Sequence, residues 1–171
     1  APLVDTLGSV YAGTADGLVL SFDKQCRLRP YWRARLALGP VTGMAQGPAG
    51  EVIALTPDAV YGLSLFGRMQ WSAALPRAAL QPPIADAAGT VYVAAQEGWL
   101  YAITHRTGAT SGAARWALRV DASGANYLGA AAIDGLGRIV LGAGSTHLAV
   151  VDDLPAFQVL YHGEQAAPGN R

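Results

Sequence analysis

An all-β fold of four similar sheets is what this sequence predicts, and three observations predict it. The chain repeats itself four times, each copy is made of strand-like pieces joined by turn residues, and no stretch carries a sustained helical period. The clearest copy opens at Gly89 with GTVYVAAQEGWLYAITHRTG and, after an insertion, ARWALRV. The others open at Gly8 (GSVYAGTADGLVLSFDKQCR, then PYWRARL), at Gly50 (GEVIALTPDAVYGLSLFGRMQWSAAL) and at Gly137 (GRIVLGAGSTHLAVVDD, then AFQVLYH). A strand-only repeat of about 40 residues points to propeller blades, which bury their faces against one another.

Each copy divides into four strand candidates. The first is short and rich in small apolar residues: PLVDTL from Pro2, PVTGMA from Pro40, PPIADAA from Pro82, GAAAIDG from Gly129. The second is VYAGT, VIALT, VYVAA or IVLGA, and the third, after a tight turn, is LVLSFD, VYGLSL, WLYAIT or HLAVVD. Apolar alternation in both suits sheets packed face to face. The turns carry Asp16-Gly17, Pro57-Asp58, Glu97-Gly98 and Gly144-Ser145, residues suited to tight reversals. The fourth strand brings an aromatic to a matched place: Trp32, Trp71, Trp116 and Tyr161. Blades are expected over 1–38, 39–80, 81–126 and 127–164, followed by a polar tail, 165–171. The insertion Gly108–Ala114 makes the third copy the longest.

Composition narrows the function classes. With 14% charged residues and a formal net charge of zero, there is no global electrostatic case for nucleic acid or an anionic membrane. No apolar run approaches the roughly 18 residues of a membrane-spanning helix, and Pro2 and Asp5 interrupt any apolar start, so no leader is expected. Cys26 is the single cysteine, which rules out an intrachain disulfide. His105, His147 and His162 are scattered, none at metal-ligand spacing with a thiol or acid. The match Ser21 to Lys24, SFDK, falls at a strand end rather than a helix start. No catalytic residue, metal site or cofactor is expected.

The pattern G-x-V-Y, turn glycine, L-Y-A-x-D, T-G, then Trp resembles the PQQ-enzyme repeat of quinoprotein-dehydrogenase-like propellers and of the BamB-type outer-membrane assembly lipoproteins. Its best segment is LYAITHRTG…W, Leu100 to Trp116. Thr104 stands where the pattern has Asp, and Asp23 and Asp152 supply that Asp in copies one and four. The resemblance implies a propeller, an extracytoplasmic setting, and a docking role between blades for Trp32, Trp71 and Trp116. The adjacent cysteine pair of PQQ alcohol dehydrogenases is absent.

Internal repeats separate structure from function. Asp5, Asp86 and Asp134 each sit three residues before the repeat glycine, so they are read as turn builders. Asp16, Asp58 and Glu97 receive the same reading at the second turn. Asp152 of the Asp152-Asp153 pair falls at the repeat Asp. The residues that break symmetry are the candidates for function. Arg27, Arg29, Arg33 and Arg35 all fall at odd positions, hence on one face of an extended strand, opposite Trp32. They form either a charged edge that resists aggregation or a docking stripe for an acidic partner. Trp99 is the one Trp outside the docking position. Arg106, Arg115 and Arg119 flank the third-copy insertion, a reasonable binding element.

The function expected is therefore a non-catalytic propeller scaffold for protein interactions. Two alternatives stand beside it: part of a PQQ-dependent dehydrogenase whose cofactor residues lie outside this chain, and a glycan- or ligand-sensing propeller using Trp99 and Tyr127. Four blades are expected to form an open arc, with a protein partner or a second copy completing the propeller.

Overall fold

The computed structural model describes residues 2–36, 39–121, 128–144 and 147–153, together with the backbone of 158–164. Blade 1 holds β1 (Leu3–Val4), β2 (Val10–Gly13), β3 (Leu18–Phe22) and β4 (Leu28–Arg35). Blade 2 holds β5 (Gly43–Gln46), β6 (Val52–Leu55), β7 (Ala59–Leu63) and β8 (Met69–Ala74). Blade 3 holds β9 (Ile84–Ala85), β10 (Val91–Ala95), β11 (Trp99–His105) and β12 (Gly112–Arg119). Blade 4 holds β13 (Ala132–Ile133), β14 (Ile139–Ala143), β15 (His147–Asp152) and β16 (Gln158–Glu164). Every sheet runs in chain order and every strand pair within a sheet is antiparallel. A 3₁₀ turn at Gln96–Gly98 is the one helical element among the described residues.

The repeat glycine has a conformational cause. Gly8, Gly50, Gly89 and Gly137 all sit at φ between 81° and 84°, the left-handed region that a Cβ disfavours. Each closes the turn between first and second strands, and the Gly8 and Gly89 amides donate to the carbonyls of Asp5 and Asp86. The Asp5 carboxylate accepts from the Leu7 and Ser9 amides, Asp86 from Ala88 and Thr90, and Asp134 from Leu136 and Arg138. In copy two the acid position is Gly47. The Glu51 carboxylate fills the space a Cβ on Gly47 would occupy and accepts from the Ala49 amide at 2.9 Å. The carboxylate is kept but reaches the turn from its other end.

The turn between third and fourth strands is rebuilt in a similar way. Asp23 caps the Gln25 and Arg27 amides, and Ser64 caps those of Phe66 and Arg68 in copy two, where the Asp is missing. At the second turn, Glu97 departs from the turn-builder reading. It sits at φ 60° and pairs with Arg77 of the preceding blade at 2.8 Å. The third-copy insertion is shorter as a loop than its sequence implies, because Gly112–Ala114 already belong to β12. A loop of 106–111 remains.

Among the described residues, three apolar clusters join blade 1 to 2, 2 to 3 and 3 to 4, and none joins blade 4 to blade 1. The sheets form an open arc. Burial records this directly. Strands β6 and β10 are buried at every position, having a blade on each side. In β3 of blade 1, Val19 is fully buried while Leu18, Leu20 and Phe22 are half-bare. Blade 4 shows the same alternation, with Ile139 and Leu141 buried and Val140 partly open.

Candidate functional site

The three seams use one geometry and three chemistries. The residue following the third-strand acid position is Lys24, Leu65, His105 or Asp153. In blades 2 to 4 it receives the Trp of the preceding blade. Trp32, 5% exposed, donates its indole N–H to the Leu65 carbonyl at 2.9 Å. Trp71, 1% exposed, stacks on His105 with ring centres 4.7 Å apart and planes 15° apart. Its N–H and the His105 Nδ1 are both buried with no hydrogen-bond partner among the described residues. Trp116 donates to an Asp153 carboxylate oxygen at 2.6 Å. It is only half-buried, less than the repeat pattern predicts. The backbone of Tyr161, in β16, pairs with Val150 of β15, and its side chain lies outside the described residues.

Asp153 also accepts from the Tyr92 hydroxyl at 2.6 Å and from Arg115 at 3.1 Å. Burial, then the Asp153 and Asp86 carboxylates, push the Tyr92 phenol far above its ordinary range, so it serves as a fixed donor. Asp153 is thus a structural anchor that sequence reasoning passed over. The signal was the position itself, next to the repeat acid.

Blade 1 breaks the symmetry. In blades 2, 3 and 4 the ladder between third and fourth strands slips by one residue just before the aromatic: Gly62 pairs with Trp71 and Leu63 with Met69, and the other two blades slip likewise at Ala102/Ile103 and Val150/Val151. In blade 1, Leu20 pairs with Arg33 but Phe22 pairs with Leu28. The fourth strand carries extra residues there, and Arg29, Pro30 and Tyr31 swing out. Alternation survives only from Tyr31 to Arg35. A single stripe of four arginines is therefore corrected to two groups, because a slipped ladder cannot keep one face. Arg33 and Arg35 flank Leu18 on the outer strand, and Arg35 pairs with Asp16 at 3.3 Å. Arg27 and Arg29 line a cleft shared with blade 2, and Arg29 also donates back to the Ser9 hydroxyl of blade 1 at 3.0 Å.

The bulge and the short turn Ser64–Arg68 of blade 2 enclose an open cleft of about 1050 Å³ above Trp32. Its apolar walls are Leu28, Tyr31, Leu65 and Phe66, and its rim carries Arg27, Arg29 and Arg68. Tyr31 is 96% exposed and Phe66 78%. Two exposed aromatics lining one cleft make it the candidate contact surface. Asp23 is the one carboxylate in the lining. Its pKa is held below the ordinary value, first by the Arg27 amide against an opposing cost of burial, then by the Gln25 amide and the two nearby arginines. Sequence reasoning found the arginines of this cleft and missed its apolar half. Phe66 and Tyr31 were readable only as aromatics at odd places.

The other candidates stand elsewhere. Trp99 is half-buried in the seam of blades 2 and 3, with the Arg77 guanidinium 4.9 Å above its ring and Tyr101 stacked 6.2 Å away. Arg106 is exposed at the start of the blade 3 loop. Tyr127 lies outside the described residues. Among the described residues no three His, Cys, Asp or Glu side chains converge on a metal-sized point, and no helix is long and apolar enough to cross a membrane.

No protein-family model matches the chain, and no curated protein matches it by sequence. Among solved structures, the chain is similar to the crystal structure of BamB from Moraxella catarrhalis, with a TM-score of 0.68 at 19% identity. The match covers 95% of this chain and 51% of that one, so the chain spans about half the length of the structure it resembles. The likeness shows a propeller-type fold.

Proposed function

We propose that this chain is a non-catalytic propeller module for protein–protein contact, working outside the cytoplasm, and that the cleft between blades 1 and 2 is its contact surface. The observation that carries this reading is the blade 1 bulge. It is the place where the ladder between third and fourth strands departs from the one-residue slip of the other three blades, and there Tyr31 and Phe66 stand exposed on one cleft under an arginine rim. Aromatic and arginine side chains are those that anchor protein interfaces. The likeness to BamB supports an envelope scaffold by analogy of fold, which alone does not carry function. A photo-crosslinking amino acid in place of Tyr31, in cells making the natural protein, tests the reading. A discrete crosslinked partner, lost when the probe moves to exposed Leu136, is expected. No crosslink at Tyr31 refutes it.

A second contact follows from the two half-bare end faces of blades 1 and 4. We read them as seats for further blades of the same kind, supplied by a second copy or by another chain. Light scattering on the purified chain checks this: association is expected, and a stable monomer whose blades 1 and 4 pack together refutes it.

A further inference from the structure

We propose that the occupant of the cleft is an extended acidic polypeptide segment carrying an apolar side chain. The proposal rests on the reading of the cleft as a contact surface and deepens it. Three independent observations point to this occupant.

The first is the neighbouring seam. Beside Trp71, the strip next to the seam is met by this protein's own chain. The end of the blade 3 loop meets β8, where the Ser72 amide donates to the Thr110 carbonyl at 3.1 Å and Ser72 bridges Ser111 in parallel. By ladder position the counterpart of Ser72 in blade 1 is Arg33, and the counterpart of the loop is the short turn Ser64–Arg68, whose Gly67 packs against the Trp32 ring and the Arg33 amide but which leaves the adjoining cleft at Leu28, Tyr31 and Phe66 uncovered. The longer loop of blade 3 thus adds a strand-like backbone contact beside its seam at Ser111, and the shorter turn of blade 2 leaves the cleft next to Trp32 free for a backbone from elsewhere.

The second is charge. Arg35, Arg77, Arg115 and Arg138 each pair with a carboxylate. Arg27, Arg29 and Arg68, all on the cleft rim, make no ion pair among the described residues. Asp23 is already engaged by the amides of its own turn. The rim presents three cations to one committed anion, so it complements carboxylates, and guanidinium–carboxylate contacts are strong and directional.

The third is the apolar floor. Leu28, Tyr31, Leu65 and Phe66 are all more than half exposed, and a purely ionic ligand would leave them so. An aromatic or large aliphatic side chain among the acids covers them. Arginines beside bare aromatics also suit single-stranded nucleic acid. A chain with no net positive charge, whose own polypeptide makes the contact beside the neighbouring seam, favours a peptide.

Fluorescence anisotropy with labelled synthetic probes decides the matter. The probes are a peptide of glutamates flanking one phenylalanine, the same peptide with glutamines, the same with alanine for phenylalanine, and oligothymidine. The acidic phenylalanine peptide is expected to bind best, and each altered peptide about tenfold or more weakly. The double change Arg27→Gln with Arg68→Gln, and separately Tyr31→Ser, should each cost about tenfold. Arg119→Gln, outside the cleft, should change nothing, and the urea midpoints of all variants should match the parent. Equal binding of the glutamine peptide, tighter binding of oligothymidine, or no peptide binding at all overturns the proposal. The crosslink at Tyr31 separates this from the broader reading. A partner that crosslinks through a neutral or basic segment leaves the contact surface standing and refutes its acidic occupant, whereas no crosslink refutes both.

Discussion

Replacing each docking Trp by Phe gives a result that burial alone predicts wrongly. All three changes remove part of a ring, worth about 1–1.5 kcal/mol as a fraction of the Trp-to-Ala cost. The indole N–H then separates them. Trp116 donates to the Asp153 carboxylate at 2.6 Å, and losing a hydrogen bond to a charged group costs a further ~1.5–3 kcal/mol. Trp116→Phe should therefore lose about 2–4 kcal/mol, with part of that recovered because the site is half open. Trp32 donates to a neutral carbonyl at 2.9 Å, so Trp32→Phe should fall near 2 kcal/mol, at roughly 1 for the bond and 1 for the ring. Trp71 has no partner for its N–H among the described residues. Removing a buried unsatisfied donor returns about 1 kcal/mol or more, so Trp71→Phe should lie within about 1 kcal/mol of the parent. Trp71→Ala, which also forfeits the stacking on His105, should cost about 3–5 kcal/mol. Urea unfolding is the assay, read as midpoint shifts at constant slope. Ranked by burial, Trp71→Phe comes out worst and Trp116→Phe mildest. If the measured order follows burial, the seam chemistry described above is wrong.

Further expectations test the turns and the absence of chemistry. Gly47→Asp should destabilise by about 1–3 kcal/mol, since its Cβ meets the Glu51 carboxylate, and adding Glu51→Thr should restore stability by recreating the turn of copy three; urea midpoints for the single and double variants check this. Cys26, at φ 59°, holds a left-handed position that Gly67 fills in blade 2, so Cys26→Gly should leave stability unchanged or raise it by up to about 1 kcal/mol, and a clear loss in thermal melting would show that the Cys26 side chain matters. The Arg138 amide and guanidinium hold Asp134 below its ordinary pKa of 3.8, and the Arg27 amide does the same for Asp23. Their stabilising contribution is complete above that value and is lost as pH falls through the lower folded values, so Asp23→Asn with Asp134→Asn should flatten the acid limb of stability against pH, and an unchanged limb would refute the linkage. Metal analysis and a redox assay with added PQQ and calcium should both be blank; a stoichiometric ion or turnover would restore the dehydrogenase alternative.

Local structure was legible in the sequence because each repeat carries its own conformational demands. A glycine at φ near 82° needs no neighbour to explain it, and neither does an acid three residues earlier that caps two amides. The four-strand order, the blade count and the aromatic at the end of each blade followed from the same local rules. Copy two shows where local reading thins: Glu51 and Ser64 take over roles that other copies assign to different positions, and only the assembled turn reveals the substitution.

What the tertiary structure alone decided is how the copies meet and where they fail to match. One matched position after the third strand presents a carbonyl, an imidazole and a carboxylate to three equivalent tryptophans, and nothing within a copy says that this residue belongs to the previous blade's Trp. Four arginines at odd positions predict one stripe only if the ladder keeps register. The slip between Leu20 and Phe22 depends on which partner each backbone amide finds, a property of two strands together. The cleft exists because that slip faces a blade 2 turn too short to cover it, so its apolar half, from Tyr31 across the seam to Phe66, joins residues of different blades. Sequence alone determined the units, through backbone conformation and alternation. Packing determined the site, because a site between units belongs to neither of them.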